Sequence, residues 1–272
     1  MKAKYIYTFC AFIFFFSLFL MLRTTERPLT LMATTTTEDS GLLAILIPEI
    51  EKDTGQKIQV VTFGTGKVLR SAMDGNADII LVHDPISEQE FIKNGFGKDR
   101  HSIMRNDFVL VGPTDNPAGV AKMENAQQSF EKIYRSGLPF VSRGDESGTH
   151  KAETRIWQAA EIDSPLLSHN NYIVTGTGMG RSLNIAVEKS AYILSDRASW
   201  LTFQNKSGLK ILKENDPLFS NIYSIISANP EQHSHISEQN QRVIINWFLT
   251  EKSKKLIESL KFQDQILFKS LL

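Results

Sequence analysis

The chain has 272 residues, 42% of them apolar and 22% charged, which excludes a disordered chain and is enough for a sizeable core. Lys plus Arg and Asp plus Glu both total 30, so the basic surface expected of a polyphosphate or nucleic-acid binder is missing and no nucleic-acid partner is expected. The single cysteine, Cys10, lies in the N-terminal segment, which leaves everything after it without a disulfide, a thiolate metal site or a cysteine nucleophile.

In chain order, Lys2 and Lys4 come first and precede Tyr5 to Leu22, an uncharged, Phe-rich run of 18 residues. A basic start followed by an apolar run is an export signal, and 18 residues also just span a bilayer. Residues 1–27 are therefore a cleaved signal peptide or an uncleaved N-terminal anchor. Either form places the remainder in the periplasm or otherwise outside the cytoplasm. Removing them leaves 26 basic against 29 acidic residues, so any preference for anions must be built locally and not by a bulk field.

From residue 29 short apolar runs alternate with helical patterns. Leu29 to Ala33 is a strand that ends in four threonines, and Asp39 or Ser40 caps a helix stopped by Gly55. Lys57 to Phe63 is a strand turned by Gly64-Thr65-Gly66 into a helix, and Ala77 to Val82 is a third strand. Such alternation predicts parallel sheets with helical crossovers, an α/β class. Asn106 to Gly112 is a buried strand followed by a turn-rich stretch, where the chain crosses between lobes. A helix near Ala118 to Ser136, a strand into Arg143, a helix from Thr149, a strand Tyr172 to Thr175, a helix Arg181 to Lys189 and a strand Ala191 to Leu194 follow. Around Pro217 to Ile226 the chain returns to the first lobe, then closes with helices Glu238 to Leu249 and Lys252 to Leu260. The expected division is residues 28–112 plus 222–272 for lobe I and 113–221 for lobe II.

The most informative stretch is Ser142-Arg143-Gly144-Asp145-Glu146-Ser147-Gly148-Thr149-His150. It carries an arginine, hydroxyls and a glycine from a strand into the start of a helix, where backbone N–H groups lack partners and negative charge is favoured. Arg143 adds a planar donor fork suited to an oxyanion. A plainer reading makes Ser147 an ordinary N-cap and Arg143 half of a surface ion pair with Asp145 or Glu146. The same chemistry recurs at Thr34 to Thr37, at Thr65 and at Thr177, each where a strand meets a helix. In open α/β sheets ligands bind at the carboxyl ends of strands. Hydroxyls and amides with one arginine suit a small tetrahedral dianion. Sulfate, molybdate and tungstate need donors only, whereas hydrogen phosphate profits from a carboxylate acceptor, for which Asp39, Asp145 and Glu146 are in reach. A hydrolase built on Ser147 and His150 lacks the Gly-x-Ser-x-Gly elbow. A sensor domain on an N-terminal anchor has no signalling domain ahead of Tyr5.

Several stretches resemble a known family: Leu-Met-Ala-Thr-Thr-Thr-Thr-Glu-Asp-Ser-Gly-Leu-Leu (31–43), Gly-Thr-Gly (64–66), Asn-Asp-Phe-Val-Leu-Val-Gly-Pro (106–113), the Ser142–His150 stretch, Gly-Thr-Gly-Met-Gly (176–180) and Ser-Asp-Arg-Ala-Ser-Trp (195–200). They look like the extracytoplasmic tungstate-binding receptors of ABC transporters, the Tup type, and the Arg143, Ser147, Gly148, Thr149 spacing also resembles phosphate receptors. The resemblance implies a two-lobed periplasmic-binding-protein fold, each lobe a mainly parallel sheet flanked by helices, that closes on an oxyanion and delivers it to a permease in the inner membrane. It implies a monomer without enzymatic activity or cofactor, the metal arriving as its oxyanion and touching no protein ligand directly. Thr34, Thr35, Thr36, Thr37, Arg143 and Thr149 are the contacts it points to first, with Thr65, Ser147, Gly148 and Thr177 beside them. The family commonly has serine at the place of Thr36; the hydroxyl is kept.

Overall fold

The alternation of β-branched runs with amphipathic segments favours parallel strands joined by helical crossovers, and the computed structural model, which describes residues 27–163 and 171–272, shows this twice. The leader expected at 1–27 lies outside the described residues except for Arg27. Among those described, no helix is long and apolar enough to cross a membrane.

The first half is built from β1 (Leu29–Thr34), α1 (Thr35–Asp39), α2 (Leu42–Thr54), β2 (Ile58–Phe63), α3 (Thr65–Met73), β3 (Ile79–Val82) and α4 (Pro85–Lys93). A 17-residue strand, β4 (Gly97–Pro113), then runs into the second half. That half holds α5 (Ala126–Ser136), β5 (Phe140–Ser142), α6 (Gly148–Ala159), β6 (Tyr172–Val174), α7 (Met179–Lys189), β7 (Tyr192–Asp196), α8 (Arg197–Thr202) and β8 (Leu209–Lys213). The chain goes back through β9 (Ser220–Ala228), α9 (Glu238–Phe248) and α10 (Glu251–Ser259). A small hairpin of β10 (Lys261–Phe262) and β11 (Gln265–Ile266) precedes β12 (Lys269–Ser270), which pairs with β4.

The strand order is β2-β1-β3-β9-β4-β7-β5-β6, with β8 and β12 also on β4. β1 pairs parallel with β2 and β3, and β5 pairs parallel with β6 and β7. Between these two parallel groups lie β9 and β4, antiparallel to each other and to their outer neighbours. β4 pairs with β9 over Gly97 to Asp107 and with β7 over Phe108 to Val111, so one strand is shared by both halves.

Side chains alternate along β4, and the alternation separates two cores. Phe108 and Leu110 pack with Phe130 of α5 and Ile156 and Trp157 of α6. Val109 and Val111 pack with Leu183 and Ala186 of α7 and Trp200 of α8. In the first half α2, α9 and α10 cover one face through Leu46, Phe248 and Ile257, while α3 and α4 cover the other through Val68 and Phe91. Each such side chain, fully buried, contributes about 1.5–3 kcal/mol.

Three local expectations need correcting. The cap expected at Asp39 or Ser40 is absent: the threonine turn itself coils into α1, and Gly41, at φ 81°, separates it from α2. Only glycine adopts that conformation freely, so the chain can break between the two helices there. The helix expected near Ala118 to Ser136 is confined to Ala126–Ser136, because Asn125 caps it with its side chain on the Gln128 amide. Thr149 is also not the first residue of its helix; Ser147 is the N-cap and Gly148 opens α6.

Candidate functional site

The strand ends expected to carry ligand contacts meet where the two halves touch. In the β1–β2 register Thr34 stands opposite Phe63, so the threonine turn and the Gly64-Thr65-Gly66 turn are neighbours at the carboxyl edge of the first half. The second half presses on that edge. A Cβ at Gly64 would lie 3.6 Å from the Asp145 carbonyl oxygen and 3.7 Å from the Ser147 Cα. One at Gly148 would come 2.3 Å from His83 Cε1, so the start of α6 sits directly against the histidine that follows β3.

Ion pairs bridge the same junction. Arg70 of α3 pairs with Glu146 at 2.9 Å, and Asp84 takes Lys151 Nζ at 3.0 Å and Arg155 Nη1 at 2.8 Å, both from α6. The cleft is closed.

Arg143 is 3% exposed. Its Nε and Nη2 donate to one oxygen, Asp145 Oδ2, at 3.1 and 2.6 Å, while Asp145 Oδ1 accepts from the Ser147 amide. The ion pair of the plainer reading therefore exists, but it is interior and presents a positioned guanidinium instead of a solvated one. Gly144 (φ 59°) and Glu146 (φ 57°) fold the loop this tightly, and a Cβ at Gly144 would strike Val174.

Buried polar side chains normally find a partner. At this junction Thr34 Oγ1, Thr65 Oγ1 and Thr149 Oγ1 have none among the described residues, although all three residues are buried. Thr34 is the N-cap of α1 by backbone conformation, yet its hydroxyl does not cap the helix. Unpaired oxygens also occur at Gln56, Gln241 and Ser253, far from the cleft in sequence, so it is the convergence at strand ends that marks the site.

The other expected contacts are placed as follows. Thr36 and Thr37 are buried, and Thr37 Oγ1 donates to the Thr34 carbonyl at 2.6 Å; Thr35 is half-buried. Ser147 Oγ accepts from the His150 amide at 3.3 Å, as an N-cap does, and its own O–H remains available to donate. Gly148 is buried at the first turn of α6. Thr177 is half-buried, with its hydroxyl bonded inside its own turn to Thr175 and Ser182; Asp39 lies across a cavity of about 350 Å³ from that turn. His150 Nδ1 accepts from the Glu146 amide and does not bond to the Ser147 hydroxyl. Burial holds the His150 ring below its ordinary pKa.

The hinge side of the cleft holds a polar group that sequence reasoning missed. His83 is fully buried, stacks on Tyr223 at 4.6 Å and bonds through Nδ1 to Asn221 Oδ1 at 2.7 Å. Burial pushes its pKa down to about 4, so the ring is neutral. Asn221 Nδ2 donates to Asn106 Oδ1 at 2.6 Å, while Asn106 Nδ2 is unpaired. Asp196 is buried at the end of β7, capping α8 through Oδ1 on the Ser199 amide and leaving Oδ2 without a partner. A signal was available: polar residues bordering apolar runs, Asn106 ahead of one and Ser195-Asp196 behind another, which periodicity alone reads as strand ends.

Two parallel-sheet halves that share a strand and close strand-end turns over a buried arginine define a solute-binding domain. A family model described as a PBP superfamily domain matches residues 23–252. A tungstate-binding protein TupA from Peptoclostridium acidaminophilum is 39% identical over 229 residues, 84% of this chain and 79% of the relative. The solved tungstate-binding protein TupA from Desulfovibrio alaskensis G20 superposes with a TM-score of 0.77 at 37% identity, covering 90% of this chain and 99% of that one. The crystal structure of the tungstate ABC transporter from Geobacter sulfurreducens superposes at 0.76 with 36% identity, over 86% and 99%. The chain belongs to the TupA family of the PBP superfamily.

Proposed function

We propose that this protein is an extracytoplasmic receptor that captures tungstate between its two lobes and delivers it to an ABC permease. The observation that carries the reading is the donor set: a buried arginine and three partnerless threonine hydroxyls from both sides of one closed cleft. Of the carboxylates beside it in sequence, Asp145 is engaged by Arg143 and Ser147, and Glu146 by Arg70. Neither is left to accept the proton of hydrogen phosphate, and Asp39, the third carboxylate expected in that role, is exposed. The names of the relatives support tungstate among the tetrahedral oxyanions. Thr34, Thr65, Arg143 and Thr149 are the side chains proposed to touch it, with the Gly148 and Thr149 amides at the start of α6 adding donors. Residues 1–27 deliver the chain across the membrane and either leave it or tether it there. His150 turns away from the Ser147 hydroxyl, which favours binding over hydrolysis.

Calorimetric titration of the purified protein with tungstate, molybdate, sulfate and phosphate tests this. Tight binding of tungstate is expected. Heat with phosphate alone sinks the tungstate reading, and no heat with any of the four sinks the receptor reading.

A further inference from the structure

Asp196 is a buried carboxyl at the end of β7 whose chemistry opposes an anion. Its side chain can be followed by register. Phe140 pairs with Tyr192, and Leu194 and Asp196 follow Tyr192 at steps of two, so all lie on the sheet face that α6 covers. Asp196 also stands opposite Phe108 of β4, which packs on that same face. The carboxyl thus lies at the strand edge where α6 begins with Gly148 and Thr149.

One oxygen is spent on the α8 cap, and Oδ2 has no protein partner. The Ser199 hydroxyl and amide and the positive charge of Arg143 favour a negative charge here, and burial outweighs them. Arg143 reaches it electrostatically, but both its Nε and Nη2 bonds go to Asp145. Tyr223 from β9 is fully buried and holds its proton. Neighbouring Asp107 of β4 is held by Arg197, which also takes Glu214. On the lobe facing it, Asp39 is acidic and His83 neutral. An ionised carboxylate with a bare oxygen at zero exposure is costly, and a dianion beside it would raise that cost. Burial accordingly raises the pKa of this carboxyl.

We propose that Asp196 sits in the cleft as the neutral acid and donates its Oδ2 proton in a hydrogen bond to the bound oxyanion, so that a carboxyl serves as a donor and not as a repelling charge. The assignment rests on the oxyanion-receptor reading above. A neutral acid gives a donor to tungstate, whereas an ionised one would accept from hydrogen phosphate and repel the dianion.

The test is tungstate affinity by calorimetry for wild type, Asp196→Ala and Asp196→Asn at about neutral pH. Asparagine keeps both the helix cap and a donor in the same place, and thermal melting checks that each variant is folded. Asp196→Ala should lower affinity roughly tenfold, and Asp196→Asn should recover most of that loss. Two results overturn the proposal while wild type still binds: asparagine no better than alanine, or asparagine at least tenfold tighter than wild type. Wild type that binds none of tungstate, molybdate, sulfate or phosphate overturns the receptor reading, and this proposal with it.

Discussion

At the scale of single residues, Arg143 and Gly148 decide most. Arg143→Ala removes a charge-assisted, desolvated donor and leaves Asp145 facing the cleft without its cation. The expected loss of tungstate affinity is about 2–4 kcal/mol, read by titration calorimetry. Arg143→Lys should recover only part, because a point charge cannot hold Asp145 and a ligand oxygen in one plane. Adding Asp145→Asn to Arg143→Ala should restore some affinity by removing the uncompensated charge. Binding equal to wild type in Arg143→Ala would show that the guanidinium serves only the loop. Gly148 acts by what it lacks. A methyl there would fall 2.3 Å from His83, a ring fixed by Asn221 and Tyr223 and unable to retreat. Gly148→Ala should hold the halves apart and weaken tungstate binding by tenfold or more, with little change in melting temperature in the absence of ligand. A variant that binds normally would mean the closed contact is not required for capture.

At the scale of elements, α6 couples the site to a second buried acid. Glu153 lies one turn beyond Thr149, accepting from Trp157 Nε1 at 3.1 Å and from Tyr172 at 2.5 Å, and burial pushes its pKa up to about 7. The folded protein therefore keeps a proton that the unfolded chain loses, and stability falls as pH rises from about 4.5 to 7. His83 works the other way. Its depressed pKa means that stability falls as pH drops from 6.5 toward 4. The two slopes oppose each other over about pH 4.5 to 6.5. Glu153→Gln keeps an acceptor for both partners and should gain on the order of 2–3 kcal/mol over wild type above pH 7, while unmasking the acid-side slope of His83. Urea unfolding at pH 5 and pH 8 checks both signs; equal stabilities of variant and wild type at pH 8 would show that Glu153 ionises freely.

Elements also show what pattern alone can and cannot carry. The apolar half of β4, Asn106 to Gly112, is legible because it is buried on both faces. Its first half, Lys98-Asp99-Arg100-His101, is charged and half exposed, and it becomes strand only because β9 supplies the other edge. Likewise α8, β8 and β12 are short and weakly periodic, and each packs or pairs on β4, which lies far away in sequence.

At the scale of the molecule, closure rests on unequal ion pairs. Arg70 and Glu146 have side chains 63% and 61% exposed, so their pair is worth little and is screened by salt. Asp84 is 1% exposed and collects two cations from α6, themselves about one-third exposed. Asp84→Asn removes the better latch without touching the cradle. With capture in the closed form, as proposed, tungstate affinity should fall by about 1–2 kcal/mol, whereas Arg70→Ala should shift it by less than about 0.5 kcal/mol. Scattering of the ligand-free protein would show a more open Asp84→Asn; equal affinities for the two variants would place the latch elsewhere.

The sequence by itself determined the class of the fold, since strand and helix periods alternate in order, and it supplied the residues of the proposed cradle, since hydroxyls and Arg143 stand at or just after strand ends. Local chemistry of that kind survives in one dimension because each turn is continuous in the chain. Only the tertiary structure decided which donors are left free: Thr34, Thr65 and Thr149 are unpaired, while the Thr177 hydroxyl is spent within its own turn. It alone placed Arg143 in the interior, paired Asp145 and Glu146, and brought His83, Asn106 and Asp196 to the hinge side of the cleft. The physical reason is that whether a polar group is satisfied depends on every neighbour within about 3 Å, and in a sheet whose two halves share a strand those neighbours come from distant parts of the chain.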